Sequence, residues 1–74
     1  MPNITVELLT GRTLDQRRAF AQEVTRNAVD LLGARAQDVR IVFTEIEADH
    51  VANGGVFSSE DPSRAEVVGR FGRI

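Results

Sequence analysis

A proline stands directly behind the first methionine in the opening stretch MPNITVELLTGR. Removal of Met1 turns Pro2 into a free secondary amine at the start of a folded element. Without amide resonance its lone pair can take a proton, and an unperturbed α-amino group titrates near ~8. A general base works best when its pKa lies near the working pH. Burial and neighbouring cations both disfavour the protonated amine, so either one moves such a nitrogen toward an uncharged base. Other reactive types are sparse. One histidine and no cysteine supply neither a thiolate nor a zinc ligand set, so no metal and no cofactor is expected. His50 reads as a surface loop residue. Arg17, Arg18, Arg26 and Arg35 read as solvated charges of a helix and its flanking loop.

The elements that must hold Pro2 follow from periodicity. From Asn3 to Leu9 the chain alternates, with Ile4, Val6 and Leu8 on one side and Asn3, Thr5 and Glu7 on the other. That is a strand with one buried face. Thr10-Gly11-Arg12 is a turn. Thr13 then opens a helix, with Gln16 at the capping-box position and Asp15 suited to the helix dipole. Phe20, Val24, Ala28 and Leu31, with Leu32 beside them, recur at helical spacing and define one core face. Gly33 is the expected stop. A second strand runs from about Val39 to Ile46, with Val39, Ile41 and Phe43 facing one way and Arg40, Val42, Thr44 and Ile46 the other. Asn53-Gly54-Gly55 marks a tight turn, and Val56-Phe57 begins a short hairpin strand. Ser58 to Ser63 reads as a polar loop. The tail carries Val67, Val68, Phe71 and Ile74, which suit either a short helix or an edge strand covering a neighbour.

Strand, helix, strand with short turns is a right-handed β-α-β unit with two parallel strands, an α/β (α+β) fold. Two strands and a helix do not make a self-sufficient core, and a parallel sheet needs both faces covered. The chain has 74 residues, one small domain over 1–74, and a domain of that size buries only about 60% of its unfolded surface. With no disulfide available, oligomerisation is the expected source of the missing core. Net charge is −2 with pI near 5.2, and the charges are mixed, which leaves no nucleic-acid footprint. No apolar run spans a bilayer and no signal-peptide pattern opens the chain, so the expected setting is cytoplasmic, away from membranes.

Several residues together carry a resemblance. Pro2, Gly11-Arg12, Gln16-Arg17-Arg18, Val39-Arg40, Thr44-Glu45 and Gly54-Gly55 fit one spacing, and from Pro2 to about Gly55 the chain resembles the 4-oxalocrotonate tautomerase family without a gap. The resemblance implies a subunit whose two-stranded parallel sheet extends across a dimer, with three dimers making a hexamer, and a short hairpin near the C-terminus. It implies a cofactor-independent isomerase acting on a small carboxylic acid, a 2-hydroxy-dienoate or an enol, as in aromatic degradation. Pro2 then is the general base and proton shuttle. Arg12 holds a carboxylate and Arg40 stabilises negative charge developing on oxygen, both tasks that suit a permanently charged guanidinium fork. Leu9, Val51 and Asn53 complete the implied substrate-binding set. An arginine at about 6 Å, with an effective dielectric of ~20, favours the neutral amine by roughly 3 kcal/mol, or about two pKa units, before screening. In such hexamers the arginines around one proline come from more than one subunit.

Two positions depart from the family pattern. Val51 stands where an aromatic residue commonly walls the proline pocket, and a smaller wall admits more water or a bulkier substrate. Asn53 brings a polar group that could orient water. These open an alternative within the superfamily, hydration or dehalogenation of a haloacrylate-type acid by a protonated proline. Glu47 and Asp49 lie in the relevant loop, but neither matches the water-activating carboxylate of those members. A third alternative follows if Met1 is retained: a non-catalytic subunit of a mixed hexamer.

Overall fold

The computed structural model describes residues 1–65. Along them run β1 (Asn3–Leu9), α1 (Leu14–Leu32), β2 (Arg40–Ile46) and a hairpin made by β3 (Ala52–Asn53) and β4 (Val56–Phe57). Short 3-10 turns at Ala36–Asp38, Ala48–His50, Ser58–Glu60 and Pro62–Arg64 shape the connections; the sequence pattern did not announce them, because a single turn has no periodicity to read.

β1 and β2 form a two-stranded sheet. The Arg40 N–H donates to the Pro2 carbonyl at one end and the Thr10 N–H to the Ile46 carbonyl at the other, both at 3.0 Å. Early residue pairs with early residue and late with late, which is the parallel pattern. Both bonds give one register: Arg40 stands opposite Asn3, and Ile46 opposite Leu9. Asn3, Thr5 and Glu7 are exposed while Ile4, Val6 and Leu8 are half-buried, as the alternation predicts.

The start of α1 is built by the predicted capping box. Thr13 has extended backbone and its hydroxyl accepts from the Gln16 N–H at 3.1 Å, while the Gln16 side chain accepts from the Thr13 N–H at 2.9 Å. Gly33 ends the helix in the left-handed region at φ 69. No neighbour crowds a Cβ there, so glycine is required by the backbone and not by space. Exposed ion pairs Arg18–Asp15 and Arg26–Glu23 run along the polar face and add only a few tenths of a kcal/mol each. Thr13→Ala is expected to lower stability by about 1 kcal/mol, seen as a drop in urea midpoint with unchanged slope at a fixed protein concentration.

The predicted core face of α1 is only partly covered. Ala28 is buried, and the Phe20 ring meets Phe43 edge-on at 6.2 Å. Leu31 and Leu32 remain 78% and 71% exposed, and Phe20 48%. A helix carries an apolar stripe on a body about 10 Å wide, whereas two strands stand only about 4.8 Å apart. The sheet is too narrow for the stripe.

Contacts group the chain into two compact units, Met1–Val6 with Thr13–Phe43, and Glu7–Arg12 with the residues from Thr44 on. The first holds α1 and the opening halves of both strands. In the second, Ala48 and Ser58 are buried, and the Ser58 N–H donates to the Val51 carbonyl at 2.9 Å. The hairpin there pairs Ala52 with Phe57 and Asn53 with Val56. Gly54 and Gly55 both have positive φ, 61 and 81, as a tight turn of the I′ kind requires. The Ser58–Ser63 stretch, predicted to be a polar loop, contains the turn Ser58–Glu60 and the start of the turn Pro62–Arg64, which Asp61 caps. Its carboxylate accepts from the Ser63 N–H and hydroxyl, which holds its pKa below the usual 3.8. The predicted tail residues Val67, Val68, Phe71 and Ile74 lie outside the described residues.

Candidate active site

Pro2 and Arg40 belong to the first unit. Pro2 is half-buried, and its carbonyl accepts the Arg40 N–H. The residue predicted to supply a base and the residue predicted to balance developing charge are thus joined through the backbone by the first rung of the parallel sheet. Arg40 is exposed. Two acids lie near Arg40 in sequence, Asp38 and Glu45, and Asp38 is taken by Arg35 in a two-pronged contact at 2.8 and 3.1 Å. Glu45 is not paired with Arg40 either: among the described residues Arg40 makes no ion pair. Met1 precedes Pro2 and is 83% exposed.

Leu9, Arg12, Val51 and Asn53 belong to the second unit. Arg12 is half-buried, and its guanidinium donates to the Leu9 carbonyl at 3.2 Å. That bond orients the arginine across the turn. Leu9 and Val51 are half-buried, and Asn53 is exposed on β3. The buried Ser58, whose N–H holds the Val51 carbonyl, positions the loop carrying Val51; its place in a polar stretch hid that role. Glu47 is half-buried. Asp49 is exposed beside His50 at 3.8 Å, which leaves His50 the surface residue expected.

One arginine differs from its predicted setting. Arg17 is half-buried, and its Nε is enclosed without a hydrogen-bond partner among the described residues. It was predicted to be solvated because helix position alone does not reveal how a long side chain lies along its neighbours.

The described residues thus form a small β-α-β unit with a parallel strand pair and a C-terminal hairpin, in which the Pro2 carbonyl accepts from the Arg40 N–H. The family model described as tautomerase enzyme matches residues 2–60. A probable tautomerase of Staphylococcus epidermidis is 38% identical over 60 residues, which cover 81% of this chain and 98% of that one. The 2-hydroxymuconate tautomerase of Bacillus subtilis is 34% identical over 55 residues, 74% of this chain and 89% of that one. Among solved structures, the 4-oxalocrotonate tautomerase homologue YwhB superposes with a TM-score of 0.76 at 32% identity, over 81% of this chain and 98% of that one. TomN, a 4-oxalocrotonate tautomerase homologue of the tomaymycin biosynthetic pathway, superposes with a TM-score of 0.73 at 28% identity, over 92% of this chain and 95% of that one. The chain belongs to the tautomerase family, on its 4-oxalocrotonate tautomerase branch.

Proposed function

We propose that this chain is a cofactor-independent tautomerase of the 4-oxalocrotonate type, moving a proton between carbon positions of a 2-hydroxy-dienoate or enol acid. Pro2 is the general base once Met1 is removed. Its nitrogen takes a proton from the substrate, the electron pair shifts along the conjugated chain, and the nitrogen returns a proton at a different carbon. Nothing is oxidised or reduced, so no cofactor enters the balance. Arg12 holds the substrate carboxylate, and Arg40 offsets the negative charge that builds on oxygen. Leu9, Val51 and Asn53 line the substrate's path. The observation that carries this reading is the bond between the Arg40 N–H and the Pro2 carbonyl, together with an Arg40 side chain that makes no ion pair among the described residues.

The functional form in this reading is a homo-oligomer, a hexamer of three dimers, in the cytoplasm. The exposed Phe20, Leu31 and Leu32 support association, since fully burying one such side chain stabilises by roughly 2 kcal/mol.

Intact mass followed by an ultraviolet assay with 2-hydroxymuconate on the same sample tests the proposal. The mass is expected to lack methionine, and the sample to consume the substrate. A methionine-free sample that turns over only a haloacrylate-type acid makes the chain a hydratase or dehalogenase. A native sample that keeps Met1 and is inert makes it a non-catalytic subunit.

A further inference from the structure

Arg35 and Asp38 make a contact unlike the other arginine pairs of the described residues. Arg35 Nε donates to Asp38 Oδ2 at 2.8 Å, and its Nη2 donates to Oδ1 at 3.1 Å. Two donors of one guanidinium thus meet both oxygens of one carboxylate. Arg18–Asp15, Arg26–Glu23 and Arg64–Asp61 each join one donor to one oxygen. The two-pronged form is the one in which a pair near the surface is strong enough to matter. It closes over the 3-10 turn Ala36–Asp38, where the Asp38 N–H donates to the Arg35 carbonyl at 2.9 Å and the Val39 N–H to the Ala36 carbonyl at 3.2 Å. Backbone and side chains therefore lock the same turn.

The carboxylate is the covered partner: the Asp38 side chain is 27% exposed, against 70% for Arg35. A partly covered carboxylate that loses its cation is left with an unmet charge, and it turns to the next cation within reach. That cation is Arg40. Only Val39 separates them, and it is extended at φ −80 and ψ 113. An extended residue sets its two neighbours roughly 7 Å apart, a distance that an arginine side chain covers. Arg40 makes no ion pair among the described residues. In the same unit Arg18 and Arg26 are occupied within α1, and the Arg17 Nε is enclosed. We propose that Arg35 is a positioning residue: it holds Asp38 in the turn and so keeps the Arg40 guanidinium free for the substrate oxygen. This rests on the reading of Arg40 given above. An Arg40 paired with Asp38 would meet the substrate with its charge already countered and its donors engaged, and that pair would have to break as charge develops on oxygen.

Steady-state kinetics with 2-hydroxymuconate and the Arg40 Nε–H NMR signal, identified by its loss in Arg40→Ala, test the proposal on the whole chain. Arg35→Ala is expected to lower kcat about fivefold with KM near that of the parent, the shift in occupancy that one exposed ion pair produces. Adding Asp38→Asn to Arg35→Ala is expected to bring kcat back near the parent, because the competing charge is gone although the turn still lacks its clamp. On an Arg40→Ala background, Arg35→Ala is expected to change nothing further. The Arg40 signal is expected to move in Arg35→Ala and to return in the double variant. Where Arg35→Ala fails to fold, as judged by circular dichroism, Arg35→Gln gives the same comparison. An Arg40 signal that stays in place in Arg35→Ala overturns the proposal, with or without turnover. A loss of kcat that Asp38→Asn does not recover makes the pair a clamp on the turn alone and overturns it. A loss that persists on the Arg40→Ala background shows Asp38 acting on another group, such as the Pro2 amine, and overturns it too. A signal that moves and returns in a sample without turnover supports the arrangement of charges and overturns only the catalytic reading of Arg40.

Discussion

Pro2→Ala is expected to lower kcat/KM for 2-hydroxymuconate by about 10²- to 10⁴-fold, the range a positioned general acid–base group supplies. The substitution keeps a free amine but exchanges a ring nitrogen held at one angle for a rotatable primary one. The carbonyl of residue 2 remains, so the bond from the Arg40 N–H survives and the sheet keeps its first rung. Circular dichroism and oligomeric state are therefore expected to match the parent. A loss of turnover without loss of fold isolates the nitrogen. Activity within a factor of two of the parent, in a sample shown by mass to lack Met1, removes Pro2 from the mechanism.

The arginines are expected to separate by role. Arg40→Ala lowers kcat by about 10²- to 10³-fold, as for loss of one preorganised donor to a developing oxyanion. Arg12→Ala acts mainly on KM, because carboxylate binding is shared by ground and transition states. Arg18→Ala leaves both constants near those of the parent: its side chain is exposed and pairs with Asp15, and such a pair contributes little. Lysine at position 40 restores part of the loss, since it keeps the charge without the fork. Equal effects of Arg40→Ala and Arg18→Ala would mean that general charge, and not a placed guanidinium, matters.

Much of the fold is legible because its signals are local. The alternation of Ile4, Val6 and Leu8, the Thr13–Gln16 box, the stop at Gly33 and the turn at Gly54-Gly55 each depend on a few neighbouring residues. Each appears where the pattern places it. The 3-10 turns escaped because they carry no period, and Ser58 escaped because a polar type usually marks the surface. The candidate site was legible in its residue types. That Arg40 makes no ion pair among the described residues was not, since two acids, Asp38 and Glu45, lie near it in sequence.

By itself, then, the sequence determined the strand–helix–strand order, the caps and turns, and the chemical types at Pro2, Arg12 and Arg40, because backbone preference and hydrophobic period act over a few residues. Only the tertiary structure decided that Asp38 goes to Arg35, that Arg40 begins its strand on the Pro2 carbonyl, that Arg17 is half-covered, and that Leu31 and Leu32 are left outside. Those outcomes depend on which surfaces meet across the chain, and a narrow sheet under a broad helix leaves apolar surface that no local rule assigns.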